Sequence, residues 1–437
     1  MTYFWQGSLG QGSGGRESAW RLFRSGRWLT AERVRNYSLI LLAFYAIAIV
    51  GWIALSSGLT DPNGKPIRTD FSSFYAAGSL VLEGRASDVY DMAAHYARER
   101  QIFGDATPYY GWLYPPFFLF VVAPLALLPY SLALAVWQGA SFALYLAVIA
   151  AILRPIRNDG TIARLWLLAA AAFPAAFVNL GHGQNGFLTA GLFGAALAML
   201  APRPLLSGVL FGLMAYKPQF GLLIPIALLA GGQWRTFLGA GITVIALAGA
   251  ATLAFGPEVW RAFAASTETS RTLLLEQGNV GFEKLQSVFA AVRMWGGGVS
   301  LAYVAQAAAS VIALLSVVYA WRAGGTWRAC GDRNLKAALL IIATLLASPH
   351  VLDYDLTILA PAIAFMVASC WPDDFRDDDI SALAAAWFAP LFARAIAGAT
   401  GVPLGLIVVV MLYFLAMRHI MRDRSMPSIE TARIAQA

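Results

Sequence analysis

Apolar runs close to the length of a bilayer crossing recur along almost the whole chain, and they constrain its fold more than any other feature. Hydrophobic residues make up 59% of the sequence and charged residues only 13%. A soluble core could not bury this share of apolar side chains, and no long hydrophilic segment interrupts the runs. The sequence therefore predicts an all-α integral membrane protein.

Short basic loops separate the apolar runs and give their orientation. Lysine and arginine in short loops mark the cytoplasmic side of a membrane protein. Counting from these loops predicts about 12 crossings with both termini in the cytoplasm. The predicted spans are 37–57, 131–153, 161–180, 186–201, 204–216, 218–232, 236–255, 299–321, 336–348, 354–370, 380–395 and 402–420. The run 113–129 is short and bounded by prolines, so we expect a half-helix there.

The chain divides into one large membrane domain with two short flanks. We expect a basic cytoplasmic segment over 1–36, a transmembrane domain over 37–420 and a cytoplasmic tail over 421–437. The formal net charge is +7, but the cations lie at helix ends, where orientation during insertion explains them. We therefore expect membrane lipids, and no nucleic acid, as partners.

Five polar stretches with the most chemically useful side chains fall on the extracytoplasmic side of this topology, whereas the acidic run 372–379 falls on the cytoplasmic side. The five are "DFSSFY" (70–75), "GHGQNG" (181–186), "AYKPQF" (215–220), the segment 256–298 and "SPHVLDYDL" (348–356). Because the orientation comes only from the basic loops, this grouping is an independent result. It predicts one shared site at the outer membrane interface.

Asp70 begins the first of these polar stretches, shortly after the end of the first span. The stretch "SSFYAAGSLVLEG" after it has the spacing of an amphipathic helix at the membrane surface. Asp70 could cap that helix. Alternatively, it could lie in a partly desolvated cavity, where its pKa would rise and it would act as a general base.

Several of these motifs together resemble glycosyltransferase family 87, also known as DUF2029. They are "DFSSFYAAGSLVLEGRASDVYD", "YPPFFLFVVAPLALLPYSLALAVW", "GQNGFLTAGLFGAAL", "KPQFGLLIPIALL" and "SPHVLDYDLTILAPA", in that order over roughly residues 36–420. The resemblance implies a GT-C type helical bundle in the bacterial inner membrane, with its active site on the extracytoplasmic face. It also implies transfer of a sugar, mannose in the best-known members, from a polyprenyl phosphate to a glycolipid or glycan acceptor. The family's catalytic acid maps onto Asp70.

The leaving phosphate of such a donor needs positive charge or hydrogen-bond donors. Lys217 lies between two apolar runs, where ionisable groups are usually functional or reach toward the interface. His350 is the second candidate. We expect both to bind the donor phosphate, although a histidine at a helix end is often only structural.

Neutral polar and acidic side chains of the same motifs are candidates for sugar contacts. We expect Gln184, Asn185, Tyr75, Asp353 and Asp355 to bind sugar or acceptor hydroxyls. His350, Asp353 and Asp355 could instead hold a metal, but a third ligand on the same helix face is missing. We therefore predict no metal and no cofactor other than the lipid-linked donor.

Two other functional classes fit the span number. A transporter or flippase of lipid-linked sugars would show inverted repeats and ionisable groups near the membrane midplane, and we find neither pattern. A polymerase or ligase of surface polysaccharide would share the site and the lipid carrier, and the sequence does not separate it from a single-sugar transferase.

Overall fold

The computed structural model describes residues 19–156, 160–322, 330–371 and 374–425, and these residues form helices and loops with no β-strand. Residues 1–18 of the basic segment 1–36 and residues 426–437 of the tail 421–437 lie outside the described residues. The all-α prediction is confirmed for the described part of the chain.

Among the described residues, six helices are long and apolar enough to cross a membrane, and the number rises to eight if two bent pairs each form one span. The six are Ala31–Leu55, Tyr130–Ile152, Trp234–Phe255, Val299–Arg322, Asp353–Cys370 and Leu404–Arg422. The bent pairs are Ala163–Ala171 with Pro174–His182 and Asp379–Leu391 with Ala393–Thr400. Four apolar helices are shorter: Pro116–Leu125, Gly186–Met199, Pro204–Tyr216 and Pro218–Ala230. The prediction of about 12 crossings therefore stays a prediction.

Helix Asp353–Cys370 lies at the centre of the molecule, and 83% of the residues in its apolar stretch are buried. Helix Cys330–Ala347 packs beside it and is buried from Leu335 onward. In helices Ala31–Leu55 and Trp234–Phe255, only 11% and 6% of the residues in the apolar stretch are buried, so their apolar side chains face outward. An apolar exterior around a packed core is what a bilayer requires.

Helix Thr69–Leu82, called the Asp70 helix below, follows the first span and confirms the helix predicted there. It does not lie free on a surface, because Phe71, Phe74, Ala77 and Leu80 are buried in the main core. Gly78 allows a close approach to helix Leu119–Leu125, since a Cβ at this position would lie 2.3 Å from the Val122 carbonyl oxygen. The Asp70 helix is therefore fixed against the membrane helices.

Shorter helices complete the connections that cover the site. Met92–Phe103 follows the Asp70 helix, and Glu258–Ser270 continues into a π-helical turn at Arg271–Glu276. Val288–Met294 comes later in the same connection. The sequence "EQGNVGFEKLQSVFAAVRMWG" in this connection has the pattern of one amphipathic interfacial helix, with Phe282, Leu285, Val288 and Phe289 on one side. That prediction is wrong, because the backbone leaves helical geometry between these pieces. Gln286 N–H instead donates to the Val351 carbonyl at 2.7 Å.

Candidate active site

Asp70 lies in the first turn of its helix and bonds with side chains from two parts of the chain. Its Oδ1 accepts from the Thr69 hydroxyl at 3.1 Å, and His182 Nδ1 lies 3.6 Å from the same oxygen. Its Oδ2 accepts from the Gln184 amide at 3.1 Å. Both carboxylate oxygens are therefore held in place by polar partners.

The interpretation of Asp70 as a helix cap is wrong. The N-cap position belongs to Arg68, and no side-chain bond caps this end of the helix. The side chain of Asp70 is thus directed at the 181–186 hairpin.

The ionisation of Asp70 also differs from the sequence prediction. Burial raises its pKa, but the neighbouring His182 and the bonds from Gln184 and Thr69 outweigh burial and hold the pKa below the ordinary aspartate value. The predicted rise in pKa is therefore wrong. Asp70 is a carboxylate at neutral pH and is ready to accept a proton.

The turn at Gly183 brings His182 and Gln184 to Asp70. Helix Pro174–His182 ends at Gly183, which adopts a left-handed conformation with φ of 71° and donates its N–H to the Asn179 carbonyl. Gln184 Oε1 accepts from the Tyr114 hydroxyl at 3.1 Å and from the Asn185 N–H at 3.0 Å. These two bonds occupy the oxygen of the amide, so its NH₂ group faces Asp70.

Asp70 lies on the wall of a cavity of about 400 Å³, called the larger cavity below. Gln184 and His350 share this wall. Seven of the other lining residues are aromatic: Phe74, Tyr90, Tyr109, Tyr110, Trp112, Tyr114 and Tyr354. Aromatic rings with a few polar groups are typical of small-molecule sites.

A second cavity of about 270 Å³, the smaller cavity, shares the lining residues Tyr114, His350 and Tyr354 with the larger one. Lys217, Asp355 and Arg271 lie on its wall. Asp70, His350 and Lys217 thus line two adjoining cavities instead of the single cavity that the sequence predicts.

Lys217 is only 3% exposed and is already paired. Its Nζ lies 2.5 Å from Asp355 Oδ1. The same atom lies 5.3 Å from the ring centroid of Phe220 and 5.2 Å from that of Tyr354. Asp355 Oδ2 accepts from the Leu352 N–H at 2.9 Å. The sequence did not reveal this partner, and the ion pair fixes the position of the ammonium group.

His350 lies where the two cavities meet. Burial lowers its pKa, and the partly opposing effects of Asp355 and Lys217 leave it lowered. The ring is therefore neutral at pH 7 and can offer one N–H donor.

The other predicted sugar contacts divide between the cavities and the protein interior. Gln184 and Asp355 lie on cavity walls. Tyr75, Asn185 and Asp353 are not among the residues that line these two cavities. Tyr75 donates its hydroxyl to the Leu128 carbonyl at 2.9 Å, and Asp353 Oδ1 accepts from the Tyr354 N–H at 2.9 Å. These bonds turn both side chains toward structural partners.

A buried pair beside the larger cavity was missed by the sequence analysis. His95 and Glu99, both in helix Met92–Phe103, are fully buried, with His95 Nε2 3.9 Å from Glu99 Oε1. His95 Nε2 lies 3.2 Å from the Ser73 hydroxyl of the Asp70 helix, and Glu99 Oε2 accepts from the Tyr110 N–H at 3.0 Å. The pair thus links the Asp70 helix to the aromatic wall. Burial raises the pKa of Glu99 to about 8 and lowers that of His95 to about 4.

His182 was also missed, although its motif was recognised. A histidine as the last residue of a helix, directly before a turn glycine, is the signal that could have identified it. Within the described ranges, no group of three or more His, Cys, Asp or Glu side chains is arranged to hold a metal ion.

A family model described as glycosyltransferase family 87 matches residues 112–349, more than half of the chain. This range contains His182, Gln184 and Lys217, while Asp70 lies before it and His350 directly after it. No curated protein and no solved structure matches the chain.

Proposed function

Because this chain belongs to glycosyltransferase family 87 and is therefore a membrane glycosyltransferase, we propose that its donor is a sugar carried on a polyprenyl phosphate. The observation that supports this most is the placement of an ionised Asp70 on a cavity wall that continues to His350 and Lys217. The base lies at one end of the adjoining cavities and the phosphate-binding groups lie at the other end. This arrangement suits a displacement at an anomeric carbon bound between them. The fold would be of the GT-C type.

Asp70 acts as the general base in this proposal. It removes the proton from the acceptor hydroxyl, whose oxygen forms a bond to the anomeric carbon of the sugar. The bond from that carbon to the phosphate oxygen breaks, and its electron pair leaves on the phosphate. A single displacement of this kind inverts the anomeric centre. Thr69, Gln184 and His182 hold the carboxylate, and His182 is a positioning residue because it does not line the cavity.

The donor phosphate would occupy the smaller cavity, with Lys217 and His350 as its contacts. An ammonium group has three N–H donors. One of them points to Asp355 and the others are available to the phosphate. Because Asp355 already balances the charge of Lys217, the ion pair orients the donor N–H groups but adds little net positive charge. Arg271 is the second cation on this wall, and it is itself paired with Glu276 at 3.1 Å.

The acceptor would enter the larger cavity and place a hydroxyl at Asp70. Tyrosine and tryptophan rings offer apolar faces to sugar rings and polar tips to their hydroxyls. The amide of Gln184 and the carboxylate of Asp355 are the proposed sugar contacts at the two ends of the path. A glycan or glycolipid acceptor suits this lining, and mannose remains the proposed sugar.

We place the enzyme in the bacterial inner membrane, with both termini cytoplasmic and the site on the extracytoplasmic face. The orientation depends on the basic loops alone. No cofactor other than the lipid-linked donor enters the proposed reaction.

The Asp70→Asn variant tests the proposal. We expect turnover of polyprenyl-phosphate-mannose with candidate acceptors to fall by roughly 100-fold or more, the scale of losing a general base. Binding of the donor should persist. Asp377→Asn, at an exposed aspartate paired with Arg24, is the control and should match wild type. Near-normal turnover of Asp70→Asn would refute the catalytic role, and lipid translocation without donor consumption would favour a flippase.

A further inference from the structure

Arg68, two residues before Asp70, has a backbone conformation that is unusual for its residue type. Its φ of 64° and ψ of 79° lie in the left-handed region, which only one other described residue besides glycines adopts. This region is unfavourable for side chains with a Cβ, and such strain persists where the surroundings fix the backbone.

The surroundings of Arg68 do fix it. The Tyr130 hydroxyl donates to the carbonyl of Ile67, at 2.5 Å, and lies 3.4 Å from that of Arg68. On the other side, Gly183 approaches so closely that a Cβ there would lie 3.0 Å from the Arg68 Cβ. The same turn that holds Asp70 therefore holds Arg68.

The guanidinium of Arg68 has no counter-ion in the described part of the chain. The residue is only 8% exposed, yet no ion pair or side-chain hydrogen bond within that part involves this group. It lies over the ring of Trp52, with 4.9 Å between the guanidinium carbon and the ring centroid. A nearly buried charge is costly without an opposite charge and hydrogen-bond acceptors.

Trp52 places this cation at the edge of the membrane. It lies in the last turn of the first span, next to the exposed side chains of Ile53 and Leu55. Tryptophan is enriched at the level of the lipid headgroups, and long arginine side chains extend to the same level. The nearest plentiful anion at that depth is a lipid phosphate, which matches the planar fork of a guanidinium.

We propose that Arg68 and Trp52 form a binding site for the phosphate of a membrane lipid, separate from the two cavities. Neither residue lines those cavities. The lipid phosphate supplies the missing counter-ion, and its tail lies along the first span. The phosphate could belong to a polyprenyl phosphate or to a phospholipid, and the chemistry is the same for both.

Thermal unfolding of the purified protein in detergent tests this site with three lipids. Undecaprenyl phosphate and phosphatidylglycerol carry a phosphate, and diacylglycerol does not. We expect the Tm of wild type to rise with at least one of the phosphate lipids and not with diacylglycerol. A rise with undecaprenyl phosphate alone identifies a polyprenyl carrier, a rise with phosphatidylglycerol alone identifies a phospholipid, and a rise with both indicates recognition of the phosphate itself.

The variant Arg68→Gly separates binding from folding. Glycine is favoured at this φ, so the variant should melt at or above the Tm of wild type without lipid, but it should lose the lipid-dependent rise. Arg68→Asn, which also tolerates this conformation, is the second variant. Arg98→Gln is the matched control, because Arg98 is a mostly buried arginine that is paired with Glu83, and this variant should keep the rise.

Three results would overturn the proposal. The first two are no rise in wild type and an equal rise in both Arg68 variants. A rise that is lost only in Lys217→Gln would place the lipid in the cavities and would also overturn it. Because the lipids carry no sugar, Asp70→Asn should keep the rise. Failure of this site is thus distinguishable from failure of the proposed transfer reaction, which is measured as donor consumption.

Discussion

Single residues carry the proposed chemistry through partners that are distant in sequence. The sequence identifies Asp70, Gln184, Lys217 and His350, because polar groups next to apolar runs are costly and stand out. It does not identify Asp355 as the partner of Lys217, because that contact joins segments 138 positions apart. Packing decides such contacts, and a single sequence contains no direct signal for them.

His182 should control the ionisation of Asp70. Its interaction with the carboxylate helps to keep the pKa of Asp70 below the ordinary value. Because the reaction needs the carboxylate form of Asp70, turnover should fall only when the pH drops below the ordinary aspartate pKa of about 3.9. His182→Gln should move this acid limb to higher pH and lower kcat by less than the roughly 100-fold expected for Asp70→Asn.

A matched control for this variant lies far from the cavities. His419 Nε2 is 2.9 Å from Asp379 Oδ2, which is a second histidine–aspartate contact and is more deeply buried than that of His182 and Asp70. His419→Gln should leave the pH profile of turnover unchanged. If the two variants shift the acid limb equally, His182 has no specific role in positioning Asp70.

Glu99 should make stability depend on pH in a defined window. The unfolded glutamate has a pKa of about 4.3 and the folded one about 8. Between these values the folded protein binds more protons than the unfolded protein, so the free energy of unfolding falls as the pH rises. Glu99→Gln has no ionisable group at this position, so its stability should not fall in this pH window. The difference in Tm between Glu99→Gln and wild type should therefore grow in favour of the variant from pH 5 to pH 8.

His95 has the opposite slope and provides an internal check. Its pKa is lowered to about 4 on folding, so stability falls as the pH drops from about 6.5 to 4. The Glu99→Gln variant keeps His95, so it should still lose stability as the pH drops through this window. Glu268→Gln, at an exposed glutamate, should follow wild type at every pH. A constant difference in Tm between Glu99→Gln and wild type would refute a neutral, protonated Glu99.

At the scale of helices, the apolar runs predict where helices form better than how long they are. Every predicted span overlaps one or more helices of the structure. Several are too short to count as spans on their own, because 3₁₀ turns at Met214–Tyr216 and Pro218–Phe220 interrupt the run. Proline at the start of a helix removes an N–H that would be unpaired anyway, so such breaks cost little. Hydropathy does not report them.

Contact between two helices positions the Asp70 helix, and Gly78 makes that contact possible. Gly78→Ala would place a methyl group against the backbone of Val122. We expect a loss of about 1–3 kcal/mol in stability and lower turnover, because the helix must move. Gly139→Ala is the control, since nothing lies within 4 Å of a Cβ at that helical position, and it should be neutral or slightly stabilising. Equal behaviour of the two variants in Tm and turnover would contradict this role for Gly78.

At the scale of the whole molecule, segments from five parts of the chain line the two adjoining cavities. The loop after the first span, the 181–186 hairpin, residues 216–219 and residues 350–355 all contribute, with 263–275 as a further wall. The sequence grouped these segments on one side of the membrane from the basic loops alone. Their convergence on two adjoining cavities supports that grouping independently of the basic loops.

Accessibility of single cysteines to an impermeant thiol reagent in intact spheroplasts decides the side. The background lacks Cys330 and Cys370. Cysteines at Asn63 and Asn279, exposed positions in the first connection and in the 256–298 segment, should react. A cysteine at Ala201, exposed between two apolar helices on the predicted cytoplasmic side, should react only after the membrane is permeabilised. Because Asn63 and Asn279 belong to segments that border the same cavities, they must report the same side. If both are protected while Ala201 reacts, the site faces the cytoplasm, and a donor presented on the outer leaflet is excluded.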